Sequence, residues 1–154
     1  MRIELKVFNW DVKLSKFIYK HLGESTIQKL TLITNILMCI IILYLILYDR
    51  FALILALILW SLSLMLQRMF YRPRPYLYLN VDLQTSSPKN HSFPSSHTMV
   101  SIGLFLAYHH LTISYLLWVI PFLRVLTLRH WLSDILMTIA LCVSFYKFLF
   151  LEIK

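Results

Sequence analysis

Two stretches of this chain carry no charge. The first runs from Leu30 to Tyr48, 19 residues, and the second from Phe51 to Gln67, 17 residues. About 20 apolar residues are needed to carry a helix across a hydrocarbon core roughly 30 Å thick. A helix that is apolar all round has no face to offer water, so such segments demand either a lipid environment or a deep core. Composition separates the two. Hydrophobic residues make up 59% of the 154, and charged residues only 14%. An ordinary soluble domain is roughly 45–50% apolar even with glycine counted. The expectation is an all-α integral membrane bundle, with residues 1–154 forming a single domain.

Further spans follow from the same reading. Asp49 and Arg50 leave only a short turn between the first two. A third uncharged stretch, Asn90 to Leu123, opens on a polar turn and reads as two short helices, about 95–108 and 112–128. His109, His110 and Thr112 fall at their junction. A last span covers about 133–151, with Lys147 near enough to its end to snorkel. The total is about five transmembrane helices. Residues 1–29 differ. Ile3, Val7, Trp10, Leu14, Phe17, Ile18 and Leu22 recur at three-to-four spacing, with Arg2, Lys6, Lys13, Lys16 and Lys20 between them. The pattern reads as an N-terminal amphipathic interfacial helix, and it fits a helix docked on the bundle equally well. Its spread of charge is unlike a signal peptide.

The net charge of +8 suits anionic lipid head groups or phosphate substrates better than nucleic acid in so apolar a chain. With two glycines, Gly23 and Gly103, there is no Gly-rich nucleotide loop. Cys39 and Cys142 lie in apolar runs without metal-ligand spacing and read as free thiols. No metal or cofactor is expected.

Four of five prolines, Pro73, Pro75, Pro88 and Pro94, cluster within 22 residues and mark a polar loop over residues 72–94. Two crossings separate this loop from Arg124, so the chain returns to the same face. Arg68, Arg72, Arg74, His97, Arg124, Arg129, His130 and Asp134 therefore collect there. Arginine forks suit phosphate oxygens. Ser95 and Ser96 stand at a helix start, where free N–H groups favour an anion, although serine is also a preferred N-cap. His130 and Asp134 are spaced i, i+4, which on a helix places the carboxylate where it can orient the imidazole. The same pair also fits a structural hydrogen bond.

These residues resemble the type 2 phosphatidic acid phosphatases, the membrane branch of the lipid phosphate phosphatase and vanadium haloperoxidase superfamily. That family carries Lys-x6-Arg-Pro, Pro-Ser-Gly-His and Ser-Arg-x5-His-x3-Asp. This chain has Gln67-x6-Arg74-Pro75, Pro94-Ser95-Ser96-His97 and Leu123-Arg124-x5-His130-x3-Asp134. The resemblance implies a catalytic loop over 68–97 and a metal-independent mechanism. His130 would attack phosphorus, Asp134 would orient it, and His97 would protonate the leaving oxygen. Arg74, Arg124, Ser95, Ser96 and Gln67 would bind phosphate. Gln67, Ser96 and Leu123 replace the family's lysine, glycine and serine.

The resemblance implies hydrolysis of a bacterial envelope lipid, lipid A 1-phosphate or undecaprenyl diphosphate first. Phosphatidylglycerophosphate, phosphatidate, or an impaired protein that only binds lipid head groups are the alternatives. It also implies the inner membrane, with the site facing the periplasm. The charge count points the other way, with 12 Lys and Arg on the motif-bearing face against 3 opposite.

Overall fold

A computed structural model describes residues 3–83, 91–108 and 114–151. Pro88, Lys89 and Asn90 of the Pro-rich loop, and His109, His110 and Thr112, lie outside the described residues, as does Lys154. The chain runs β1 (Ile3–Glu4), α1 (Asn9–Tyr48), α2 (Arg50–Met69), β2 (Phe70–Tyr71), α3 (Pro75–Tyr78), α4 (Ser96–Ala107), α5 (Ser114–Leu126) and α6 (Leu132–Leu151). The expected all-α class holds, with one two-residue parallel pair, β1 against β2, as an addition.

Among the described residues, α1 and α2 are the helices long and apolar enough to cross a membrane. Only 22% of the most apolar window of each is buried. Their greasy side chains point outward, as at Leu47, Phe51 and Leu57, where a core helix of a water-soluble protein would hide them. The expected count of about five such helices is not met. α4 and α5 are apolar but have 12 and 13 residues. At 1.5 Å per residue they reach about 18–20 Å, short of a roughly 30 Å core.

At the N-terminus, α1 is two helices joined across a kink at Gly23, where φ is 68° and ψ 166°, so a separate helical arm starts at Asn9 within the expected 1–29 segment. Only glycine takes that conformation readily. The arm before the bend is docked, burying Asp11, Ser15 and Ile18 while Lys13, Lys16, Phe17 and Lys20 stay exposed. The docked-helix alternative describes it better than an isolated interfacial helix.

Helix α4 is the hub and packs on α2, α5 and α6. Close approach to α2 is set at Gly103, where a Cβ would lie 2.3 Å from a methyl of Leu59. Met38, Ile41, Leu45, Ala56, Val100, Leu104 and Ile120 form one apolar core between α1, α2, α4 and α5. A second core, with Ile18, Tyr76, Leu83, Val125 and Ile135, ties the N-terminal arm to the loops that carry the polar residues.

Candidate active site

The α5–α6 turn is built first by local rules. Leu128 takes φ 53°, its N–H bonds Val125 O at 3.0 Å, and Arg129 N–H bonds Arg124 O at 3.2 Å. This is a Schellman helix end with leucine in the left-handed position usually given to glycine. His130 N–H also bonds Arg124 O at 3.2 Å. The five-residue spacing between Arg124 and His130 is thus the length of one folded-back helix terminus.

The Pro-rich loop is laced to this turn. Trp131 Nε1 donates to Pro73 O at 2.7 Å, and Tyr76 N–H to Leu128 O at 3.3 Å. Arg74 donates to Arg129 O and His91 O, both at 3.3 Å. On the third side, Ser95 caps α4 by accepting from Thr98 N–H, and its own N–H reaches Thr138 Oγ1 of α6 at 3.2 Å. The Ser96 and His97 amides occupy the first turn, where no intrahelical acceptor exists.

The result is a polar cluster holding Arg74, Arg124, Arg129, His97 and His130. Arg74, Arg124, Arg129 and His130 are all at most 7% exposed. Arg129 stacks on Tyr76 at 5.5 Å, and the His97 ring leans on Trp60 at 5.2 Å. Arg124 forms no ion pair with any described residue, and its buried Nε–H has no acceptor. A buried cation without a counter-ion is costly. Burial and the charges of Arg74 and Arg124 push the His130 imidazole well below its usual value, so it is neutral at pH 7. Burial lowers Arg74 to about 10, which leaves it fully charged there.

Two assigned roles change. Asp134 makes no hydrogen bond to the His130 imidazole. His130 lies in the turn before α6, so helical i, i+4 geometry does not apply to it. Its Nδ1 instead faces Ser92 O at 2.5 Å. Asp134 accepts from Arg72, from the Ser92 hydroxyl and from Trp131 N–H, the last as the reciprocal bond of a helix cap. It supports the imidazole only through Ser92. Gln67 is also reassigned. Its Nε2 donates to Pro94 O at 2.7 Å and Ser96 Oγ at 2.9 Å. Both amide hydrogens are committed, so it braces the start of α4 and has none for phosphate. Ser95 and Ser96 stand at the helix start as expected, Ser95 as the cap.

Sequence reasoning placed Arg72 and Arg129 on this face without giving them roles, and missed Asp11, Trp60 and Ser92. The hydrophobic periodicity of the first helix did place Asp11 amid an apolar face, which is the signal a buried carboxylate leaves. Among the described residues no group of three or more His, Cys, Asp or Glu side chains is arranged to hold a metal ion. Comparison with family models, curated proteins and solved structures finds no match to this chain.

Proposed function

We propose that this protein is a membrane lipid phosphatase that hydrolyses a lipid phosphate or diphosphate through a phosphohistidine, without a metal. Arg124 carries the reading. Its guanidinium is buried without an ion-pair partner among the described residues and lies in one cluster with two more arginines and two imidazoles. A dianionic phosphoryl group would neutralise that charge, and the arginines would stabilise its equatorial oxygens as a cation otherwise does.

His130 would attack through Nε2, forming an N–P bond as the lipid P–O bond breaks. His97 would pass its proton to the departing oxygen, then take one from the water that cleaves the N–P bond. Inorganic phosphate leaves and both imidazoles are restored. An apolar groove of about 210 Å³ begins at Trp60, beside His97, and continues along Met38, Ile42, Ala56, Leu57 and Val100. It supports a leaving group with a hydrocarbon chain. In this reading α4 and α5 complete the bundle as short bilayer segments beside α1 and α2. The favoured substrates are lipid A 1-phosphate and undecaprenyl diphosphate, then phosphatidylglycerophosphate and phosphatidate. The enzyme sits in a bacterial inner membrane with the site facing the periplasm.

The test is phosphate release from detergent-solubilised protein, without added metal, on these four lipids. His130→Ala should lower kcat by several orders of magnitude, and His97→Ala and Arg124→Ala should each cost at least a hundredfold. Full activity in all three variants refutes the mechanism. A second reading, head-group binding without turnover, is favoured by Gln67, which supplies no charge where the resembled family has lysine. Recovery of phosphate on His130 after acid quench of a turnover mixture would eliminate it. For orientation, Asp82→Cys in a Cys39→Ser background should react with an impermeant maleimide in intact cells; protection places the site in the cytoplasm.

A further inference from the structure

A line of buried polar contacts runs from the N-terminal arm to the imidazole of His130. Asp11 Oδ1 accepts from Ser133 N–H at 3.1 Å. Its Oδ2 accepts from the Ser133 hydroxyl and, at 3.0 Å, from Arg72. Arg72 donates its other terminal nitrogen to Asp134. Asp134 accepts from the Ser92 hydroxyl, and the Ser92 carbonyl faces His130 Nδ1. None of these five residues, Asp11, Arg72, Asp134, Ser92 and His130, is more than 2% exposed. The arm is placed for this contact by β1 pairing with β2, since Ile3 aligns with Phe70 and Leu5 N–H bonds Tyr71 O at 3.0 Å. One residue further on, Arg72 pairs with His91, and Ser92 N–H bonds Arg72 O at 3.0 Å.

We propose that Asp11 is a positioning residue for His130, acting from the N-terminal arm through Arg72, Asp134 and Ser92; this rests on His130 being the nucleophile. A buried carboxylate–guanidinium–carboxylate set is rarely the most stable way to fill a core, because desolvation offsets much of the attraction. Its retention here has a geometric consequence. The Ser92 carbonyl can only accept, so it holds His130 as the Nδ1–H tautomer and leaves the Nε2 lone pair for phosphorus. Ser92 is held at both its hydroxyl and its amide, and both holds lead to Arg72. Arg72 in turn is centred between two carboxylates, of which Asp11 is one. Without Asp11, Arg72 swings toward Asp134 and carries the Ser92 carbonyl with it. A displacement near 1 Å at a nucleophile costs on the order of a hundredfold in rate.

Asp11→Asn keeps the shape and removes the charge. It should lower kcat by about 10- to 100-fold while KM stays within about twofold, because neither the phosphate arginines nor the apolar groove is altered. Lys13→Ala, an exposed change on the same arm, should leave both constants unchanged. Imidazole nitrogen shifts of ¹⁵N-histidine-labelled protein, assigned through His130→Gln, should report a single Nδ1–H tautomer in the parent and a mixture in Asp11→Asn. If Asp11→Asn fails to fold, Ser133→Ala, which removes one donor to Asp11 and spares the ion pairs, should give the same pattern at smaller amplitude. An unchanged kcat with an unchanged tautomer in a folded variant overturns the proposal, as does a loss confined to KM. If the parent releases no phosphate from any lipid tested, the phosphatase reading fails, while the tautomer measurement still decides the role of Asp11.

Discussion

Replacing Arg124 with methionine should stabilise the protein and inactivate it in the same step. The Arg124 residue is 5% exposed, its Nε–H has no acceptor, and it forms no ion pair with any described residue. An ion of this kind keeps a desolvation penalty of several kcal/mol after relaxation, and exchanging buried charge for apolar volume commonly stabilises by 1–4 kcal/mol. Methionine fills a similar length with a flexible apolar chain. In a chain of 154 residues, roughly 2–4 °C accompany each kcal/mol. A rise in Tm of about 2–16 °C is therefore expected in detergent, with turnover reduced at least a hundredfold. The ligand arm of the experiment sharpens it. Orthovanadate at a hundred times its Kd should stabilise the parent by about 2.7 kcal/mol, and should stabilise Arg124→Met far less. A lower Tm in Arg124→Met, together with no vanadate effect on the parent, would refute the argument that this cation waits for an anion.

Three further outcomes follow from the geometry. His130 is held well below its usual value by burial and by Arg74 and Arg124, so between pH 6.5 and its folded value the unfolded chain binds the extra proton. Stability should fall as pH drops below about 6.5, and denaturant titrations from pH 7 to 5 should show a shallower fall in His130→Gln. Gln67→Leu strips donors from Pro94 O and Ser96 Oγ and should cost about 1–3 kcal/mol, with an activity loss far smaller than that of His130→Ala. Gly23→Ala meets no atom within 4 Å, so its cost is backbone strain alone, on the order of 1–3 kcal/mol by thermal unfolding, with kcat unchanged.

Much of the fold was readable because apolar helices announce themselves by the absence of charge. The limits of α4, α5 and α6 fall within a few residues of the apolar spans expected at 95–108, 112–128 and 133–151. Crossing the membrane is a matter of length, and there the reading overshot, since α4 and α5 are too short to count by themselves. The gathering of Arg74, His97, Arg124 and His130 was also legible, because an even number of passes returns a chain to one end.

The partner of each polar group was not legible. The i, i+4 spacing of His130 and Asp134 suggested a direct bond, yet the Schellman turn at Leu128 takes His130 off the helix and gives its Nδ1 to the Ser92 carbonyl. Gln67 looked like a weakened phosphate ligand and is a brace, because the backbone carbonyl of Pro94 lies within its reach.

Residue order alone makes this chain a helical, apolar bundle with an arginine- and histidine-rich cluster at one end. Hydropathy and spacing act along the chain, and they need no tertiary partner to be read. Three-dimensional packing is what brings Asp11, 61 residues from Arg72, to close a buried ion network beneath that cluster. It also decided that Arg124 has no counter-ion among the described residues. Hydrogen bonds and ion pairs act over a few ångströms, so they are settled by which loops the packed helices bring into contact, and the order of residues alone does not state it.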